Sequence, residues 1–399
     1  MMGSFKFIHC ADLHLGSRFV SISSDNENIG KKMKESTFKA LDKIVLTAKK
    51  NNVDFVIFSG DIFDDENETP LTRSRFADAL AKIKVKCFIA YGNHDYSRKW
   101  EDSIPLPDNA YVFPDKVTRI PFPNEEEKIV ELFGISYSTK HVEKDLTDGM
   151  RGNDKTFSIG VLHCDLDSVS ENPQYAPCKL STLLKADIDY WALGHIHKRQ
   201  VVKEYPHVVY PGNTQGRNPR ESNEKGAYIV TVTKGRVTDM EFFRTGDIIW
   251  ENVESDITDK KDIKDVIKDI QLNVEKGSFI RVHLTGHGDL DRMLRLDTPG
   301  FTELLEDRSG CIVTGLELST IPDIDLKERK EIGDFTSAVI DFGKKLETSR
   351  KEDLINIICS TTTSAIIRPT FESMSDSELR SIARDSMLFV VEKIMEVKK

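Results

Sequence analysis

A chain of 399 residues with 39% apolar and 31% charged residues has the length for two or three domains and the apolar content for a proper core. No apolar run reaches the roughly 20 residues of a membrane span, and the first residues lack the basic, apolar and small-residue order of a signal peptide. A net charge of −10 argues against holding nucleic acid by bulk charge, so any such contact has to be local.

The first strand is expected at Phe5-Lys-Phe-Ile-His-Cys10, with Asp12 and His14 just past its end. Residues 31–50 follow with Met33, Phe38, Leu41, Ile44, Val45 and Ala48 at helical spacing. Val53-Asp-Phe-Val-Ile-Phe58 is almost wholly apolar and runs into Ser59-Gly60-Asp61-Ile-Phe-Asp64. Thr69-Pro70 predicts a helix start, cap then N1 proline, leading to Phe76, Leu80 and Ile83. Cys87-Phe-Ile-Ala90 leads into Tyr91-Gly92-Asn93-His94-Asp95. Phe157-Ser-Ile-Gly-Val-Leu162 delivers His163, and Ile188-Asp-Tyr-Trp-Ala-Leu193 delivers Gly194-His195-Ile-His197. Near-continuous apolar strands of this kind are buried on both faces, and ligands of such sheets sit beyond the strand carboxyl ends. Gly60, Gly92 and Gly194 each precede a candidate ligand, where the chain has to turn sharply.

Further strands are expected at 201–202, 208–210, 227–232 and 237–243. They read as a second sheet, giving an α/β fold: a two-sheet sandwich flanked by helices, over residues 1–247. Residues 248–322 read as a small α+β cap domain, with a helix over 259–272 and strands over 278–284 and 311–318. A polar linker at 322–331 precedes a helical C-terminal module, 333–399. Phe335, Val339, Phe342 and Leu346 form one of its stripes; Leu379, Ile382, Ala383, Val390 and Ile394 form another. Such stripes either pack on their own body or meet a partner helix. The six cysteines (10, 87, 164, 178, 311 and 359) are scattered and fit reduced thiols of a cytoplasmic protein.

The motifs pool two Asp, an Asn and four His. His14, His163, His195 and His197 stand at strand ends with carboxylates in matching places, whereas His9, His141, His207, His283 and His287 read as ordinary hydrogen-bonded or surface histidines. Carboxylate, imidazole and amide donors suit Mn²⁺, Fe²⁺ or Zn²⁺ better than Mg²⁺. Two ions held side by side lower the pKa of water and clamp a phosphate, so hydrolysis of a phosphate ester is the implied chemistry. Asp64 and Asp95 are candidates to orient a ligand or His94.

In this order the motifs resemble the calcineurin-like metallophosphoesterases over roughly residues 5–245. More narrowly, His9-Cys-Ala-Asp-Leu-His-Leu-Gly16, Gly60-Asp-Ile-Phe-Asp64, Gly92-Asn-His-Asp95, Gly194-His-Ile-His197 and Tyr210-Pro-Gly-Asn213 resemble the SbcD/Mre type of DNA repair exonuclease, in a shorter bacterial branch. The resemblance implies a four-layer fold. It implies that Asp12, His14 and His197 hold one ion, that Asn93, His163 and His195 hold the other, and that Asp61 bridges them. His94 would contact the phosphate and help the 3′ oxygen leave. The activity implied is a manganese-dependent 3′ to 5′ DNA exonuclease with room for endonuclease cleavage. Its implied partners are an SMC/SbcC-like coiled-coil ATPase and a second copy of the chain, with no membrane. A phosphodiesterase or phosphatase for a small molecule or cyclic nucleotide would use the same core, and a scaffold with a vestigial site is disfavoured because every ligand position is filled. Arg18, Lys198, Arg199, Lys203, Arg217 and Arg220 follow the motifs as candidate phosphate contacts, most of them expected to be merely solvated.

Overall fold

A computed structural model describes residues 4–17, 27–64, 68–127, 129–167, 175–321, 326–360 and 367–397. The chain divides into two compact units, residues 1–251 with 277–280, and residues 252–276 with 281–399.

The first unit holds twelve strands, β1 (Ser4–Cys10), β2 (Phe55–Ser59), β3 (Lys86–Ala90), β4 (Ala110–Val112), β5 (Thr118–Phe122), β6 (Val130–Gly134), β7 (Phe157–His163), β8 (Tyr190–Gly194), β9 (Gln200–Glu204), β10 (His207–Tyr210), β11 (Gly226–Thr233) and β12 (Arg236–Arg244), with helices α1 (Glu27–Lys50), α2 (Pro70–Ile83) and α3 (Leu180–Leu183). They form two six-stranded mixed sheets, ordered β12-β11-β1-β2-β3-β4 and β5-β6-β7-β8-β10-β9. The expected sandwich is present, but the strands are dealt differently. β11 lies antiparallel to β1 in the first sheet, and β12 lies beside β11. The motif strands β7 and β8 belong to the second sheet, in parallel register with His163 opposite Gly194.

Three apolar layers hold this unit. Phe5, Phe7, Phe55, Ile57 and Phe88 face Leu132, Ile159, Val161, Tyr190 and Ala192 between the sheets. The expected stripe of α1, Phe38, Leu41, Ile44, Val45 and Ala48, packs with Phe76 and Leu80 of α2 on the outer face of the first sheet. Thr69 caps α2 through the Thr72 N–H at 3.1 Å, with Pro70 in its first turn, as expected. The outer face of the second sheet is covered by short α3 and irregular chain, with Trp191, Leu193, Tyr137 and Leu146 in that cluster.

The second unit carries most of a three-stranded sheet in the order β13 (Trp250–Asp256), β14 (Phe279–Thr285), β15 (Ile312–Leu318). Helices α4 (Ile263–Leu272), α5 (Leu290–Leu296) and α6 (Thr298–Ser309) accompany it, followed by α7 (Leu326–Glu331), α8 (Phe335–Glu347), α9 (Lys351–Ser360), α10 (Ile367–Ser373) and α11 (Asp376–Val397). α4 begins with a capping box between Asp262 and Asp265 and buries Val266, Ile267 and Ile270. In α8 the expected stripe is divided, with Val339 and Leu346 packed against the helical clusters. Ile340 and Gly343 are buried with Thr336 and Ser337, while Phe335 and Phe342 are 71% and 56% exposed. Small residues let α8 approach α11, where Met387, Leu388 and Val391 meet Ile340. No helix among the described residues is long and apolar enough to cross a membrane. All six cysteines are free.

Candidate metal centre

The strand ends of both sheets deliver their polar residues to one place. Parallel pairing of β1 with β2 and of β2 with β3 brings Asp12, His14, Asp61, Asn93 and His94 out at one edge. Parallel β7 and β8 bring His163 and His195 to the same place. The turns are strained: Asp12, His14, Asp61 and His195 have φ of 53°, 44°, 49° and 102°. Left-handed backbone at non-glycine residues costs on the order of 1–3 kcal/mol each and persists where the surroundings enforce it. Here the enforcement is visible. The Asp12 N–H donates to Gly60 O at 3.0 Å, and the His14 N–H to Asp61 O at 3.0 Å. A Cβ on Gly92 would run into the Asp61 carboxylate, which is why the third motif needs glycine there.

The candidate ligands gather as two imidazole pairs. His14 Nε2 and His197 Nε2 are 3.0 Å apart. The rings of His163 and His195 stand edge to face with centroids 5.2 Å apart. Asp61 lies between the pairs, its Oδ2 3.7 Å from His14 Nε2 and 3.4 Å from His163 Nε2. His163 Nε2 is 3.0 Å from Asn93 Oδ1. The His195 N–H donates to Asp12 Oδ1 at 2.9 Å. Asp12, His14 and His197 offer ligand atoms within 4.8 Å of one another, as do Asp12, Asp61 and His163, and likewise His14, Asp64 and His94. All seven expected metal ligands are therefore brought together.

The residues fit divalent cations. Asp12 Oδ2 is buried without a hydrogen-bond partner, an arrangement that is costly unless something positive approaches. Two imidazole nitrogens 3.0 Å apart likewise point at common space. Burial pushes His14 down to about 3, helped by the charge of Arg217. Burial and then His163 push His195 down to about 3. Both are neutral imidazoles, the coordinating form. For His163, burial acts downward but is outweighed by Asp61 and Asp12, which hold it up at about 10. Positive charge is what this carboxylate pair demands, and bound cations answer the same demand.

The surrounding carboxylates divide their work. Asp95 accepts N–H bonds from Ile62 at 3.1 Å, Phe63 at 2.8 Å and Gly92 at 2.9 Å. It ties the second motif to the third instead of facing the His94 ring. Burial and then Asp61 push its carboxyl up to about 8. Asp64 faces His94, Oδ1 to Nδ1 at 3.6 Å, and His14 at 3.4 Å. Among the basic candidates, Lys198, Lys203 and Arg220 are exposed. Arg199, also exposed, lies over the Phe242 ring at 3.7 Å. Arg217 is 3.3 Å from Ser17 Oγ and 3.5 Å from Asp64 Oδ1. Arg18 lies outside the described residues. Sequence reasoning missed Glu221, whose Oε1 is 2.8 Å from His197 Nδ1. It also missed Tyr175, whose ring lies 5.0 Å from that of His195. Neither sits in a strand-end motif, so no spacing signal marked them.

Fold and site define a metal-dependent hydrolase of phosphate esters, and comparison agrees: the chain belongs to the calcineurin-like phosphoesterase family, whose model matches residues 5–199. The family binds two divalent metals. An uncharacterized metallophosphoesterase of Bacillus subtilis, YhaO, is 31% identical over 98% of this chain and 98% of its own. The DNA double-strand break repair protein Mre11 of Methanocaldococcus jannaschii is 29% identical over 66% of this chain and 73% of its own. A component of the nuclease SbcCD of Escherichia coli K12 is 24% identical over 59% of this chain and 67% of its own.

Proposed function

We propose that this chain is a two-metal DNA nuclease that hydrolyses phosphodiester bonds, with manganese as its ion. Asp12, His14 and His197 hold one ion; Asn93, His163 and His195 hold the other; Asp61 bridges. The observation that carries this reading is the position of Asp61 Oδ2, 3.7 Å from one imidazole pair and 3.4 Å from the other. Bound ions supply hydroxide at neutral pH and offset charge building on the phosphate. The remaining work falls to the chain itself. His94, with a side chain 32% exposed, contacts the phosphate and gives a proton to the leaving 3′ oxygen. Asp64 Oδ1 stands 3.6 Å from its Nδ1, on the side away from Nε2, which is the nitrogen proposed to meet the substrate.

DNA as substrate, with 3′ to 5′ polarity, draws support from the relatives named as repair protein and nuclease. An SMC-like coiled-coil ATPase and a homodimer complete the proposal. Support for such a partner comes from an apolar groove of about 500 Å³ in the helical module, lined by Phe335, Phe342, Leu346, Ile357 and Val390. The second reading, a small-molecule or cyclic-nucleotide phosphodiesterase, is favoured by the engagement of Arg217 with Asp64 and Glu221. Bis-nitrophenyl phosphate, its mono-ester, and single- and double-stranded DNA, each with Mn²⁺, separate the two. Cleavage of DNA and the bis-ester supports the nuclease. Turnover of small esters beside intact DNA moves the conclusion to the second reading.

A further inference from the structure

His197 is gripped from two directions. Its carbonyl accepts from Lys225 Nζ at 2.9 Å and from the Asn213 N–H at 3.4 Å. Its ring Nδ1 meets Glu221 Oε1 at 2.8 Å. Glu221 is itself held. Its Oε2 accepts from Asn213 Nδ2 at 2.7 Å and from the Arg217 N–H at 2.8 Å, and Arg217 Nη2 lies 3.4 Å from Oε1. A carboxylate only 11% exposed is tolerated because donors surround it. The loop reaches this place because residue 212 is glycine, with φ of 77°; a Cβ there would sit 2.9 Å from His197 O and from Arg199 N.

A carboxylate accepting from Nδ1–H keeps the proton on that nitrogen. It therefore presents the Nε2 lone pair, which here faces His14 Nε2 at 3.0 Å. His163, in the other pair, has a neutral partner instead, Ser59 O at 3.0 Å from its Nδ1. We infer that Glu221 is a positioning residue for one ion only: it fixes the tautomer and aim of His197, and so sets the affinity of the Asp12–His14–His197 position, leaving the Asn93–His163–His195 position unaffected. The inference rests on the two-ion reading above. Partners of this kind change metal affinity by roughly 10–100-fold.

Metal-stripped full-length wild type, Glu221→Gln and His197→Ala are titrated with Mn²⁺ while free Mn²⁺ is read by electron paramagnetic resonance. Melting temperatures of the stripped proteins are recorded beside them. The wild type is expected to show two positions. Glu221→Gln is expected to keep one at wild-type affinity and weaken the other by roughly 10–100-fold, the position that His197→Ala loses, the retained position showing that the variant still folds. Two positions of wild-type affinity in Glu221→Gln, or equal weakening of both, overturn the inference while leaving the two-ion reading standing. Fewer than two in the wild type overturn that reading instead. Without any variant, the ring ¹⁵N shifts of His197 in stripped wild type report its tautomer, and a proton on Nε2 overturns the inference.

Discussion

Histidines in this chain do different jobs according to burial and partner, and His9 separates burial from ligation. Its ring is wholly buried, Nδ1 3.0 Å from the Tyr190 hydroxyl, outside the ligand set. Burial pushes it down to about 3, although a backbone bond with Leu193 pulls the other way. The unfolded chain takes up a proton near pH 6.5, whereas the folded chain resists until about 3. The contribution is thus complete above pH 6.5 and is lost as pH falls, at about 1.4 kcal/mol per pH unit for one proton. In stripped protein, denaturation between pH 6 and 4 should show a shallower pH slope for His9→Gln than for wild type. An unchanged slope would mean that the ring already carries its proton. His94 makes the opposite case, a half-exposed ring poised at the site. His94→Ala should retain bound Mn²⁺ by elemental analysis while turnover of bis-nitrophenyl phosphate falls roughly 10²-fold or more, the scale of a lost general acid. Asp61→Ala should empty or cripple both ion positions; two ions retained at full affinity would remove Asp61 as the bridge.

At the scale of elements, the sequence disclosed what local periodicity encodes and little of what distant pairing decides. Apolar strands ending in glycine and a polar ligand were legible because each carries its message within about ten residues. The helix start at Thr69 was legible for the same reason. Thr69→Ala removes the side chain that accepts the Thr72 N–H at 3.1 Å, so it should cost about 1 kcal/mol of stability in urea melts, without altering metal content. The assignment of β11 and β12 to the first sheet was hidden, since an apolar strand does not name its neighbour. β4 has three residues and β5 contains Pro121, so neither offered a clear alternating run. Which face of α8 is buried was left open, because two stripes competed. Large Phe335 and Phe342 fitted either a core or a partner's groove, and the small-residue stripe with Ile340 and Gly343 gives the closer approach to Met387. Glu221 was invisible for a third reason: an acidic residue in a polar loop has a local explanation, and only the fold brings it to His197.

At the scale of the whole molecule, the two units expose different kinds of surface, and the proposed tasks follow that division. The first unit gathers strained polar residues around a cation-seeking centre. Loading Mn²⁺ to about 100 times its dissociation constant should therefore stabilise the protein by about 2.7 kcal/mol per independent site, read as a melting shift that a chelator reverses. The second unit exposes aromatic side chains at helical spacing, with Phe335 at 71% and Phe342 at 56%, along a groove that matches an apolar helix face. Neither ring belongs to the clusters around Ile340 and Leu354. Replacing both by serine should thus change folding stability by no more than about 0.5 kcal/mol per site, as for surface positions. It should leave hydrolysis of bis-nitrophenyl phosphate as it is. Capture of a co-expressed coiled-coil ATPase should fail, because the groove loses the rings that a partner helix would bury. If the double variant captures the ATPase as well as wild type does, the groove is not the docking surface, and the exposed rings have to be explained in another way.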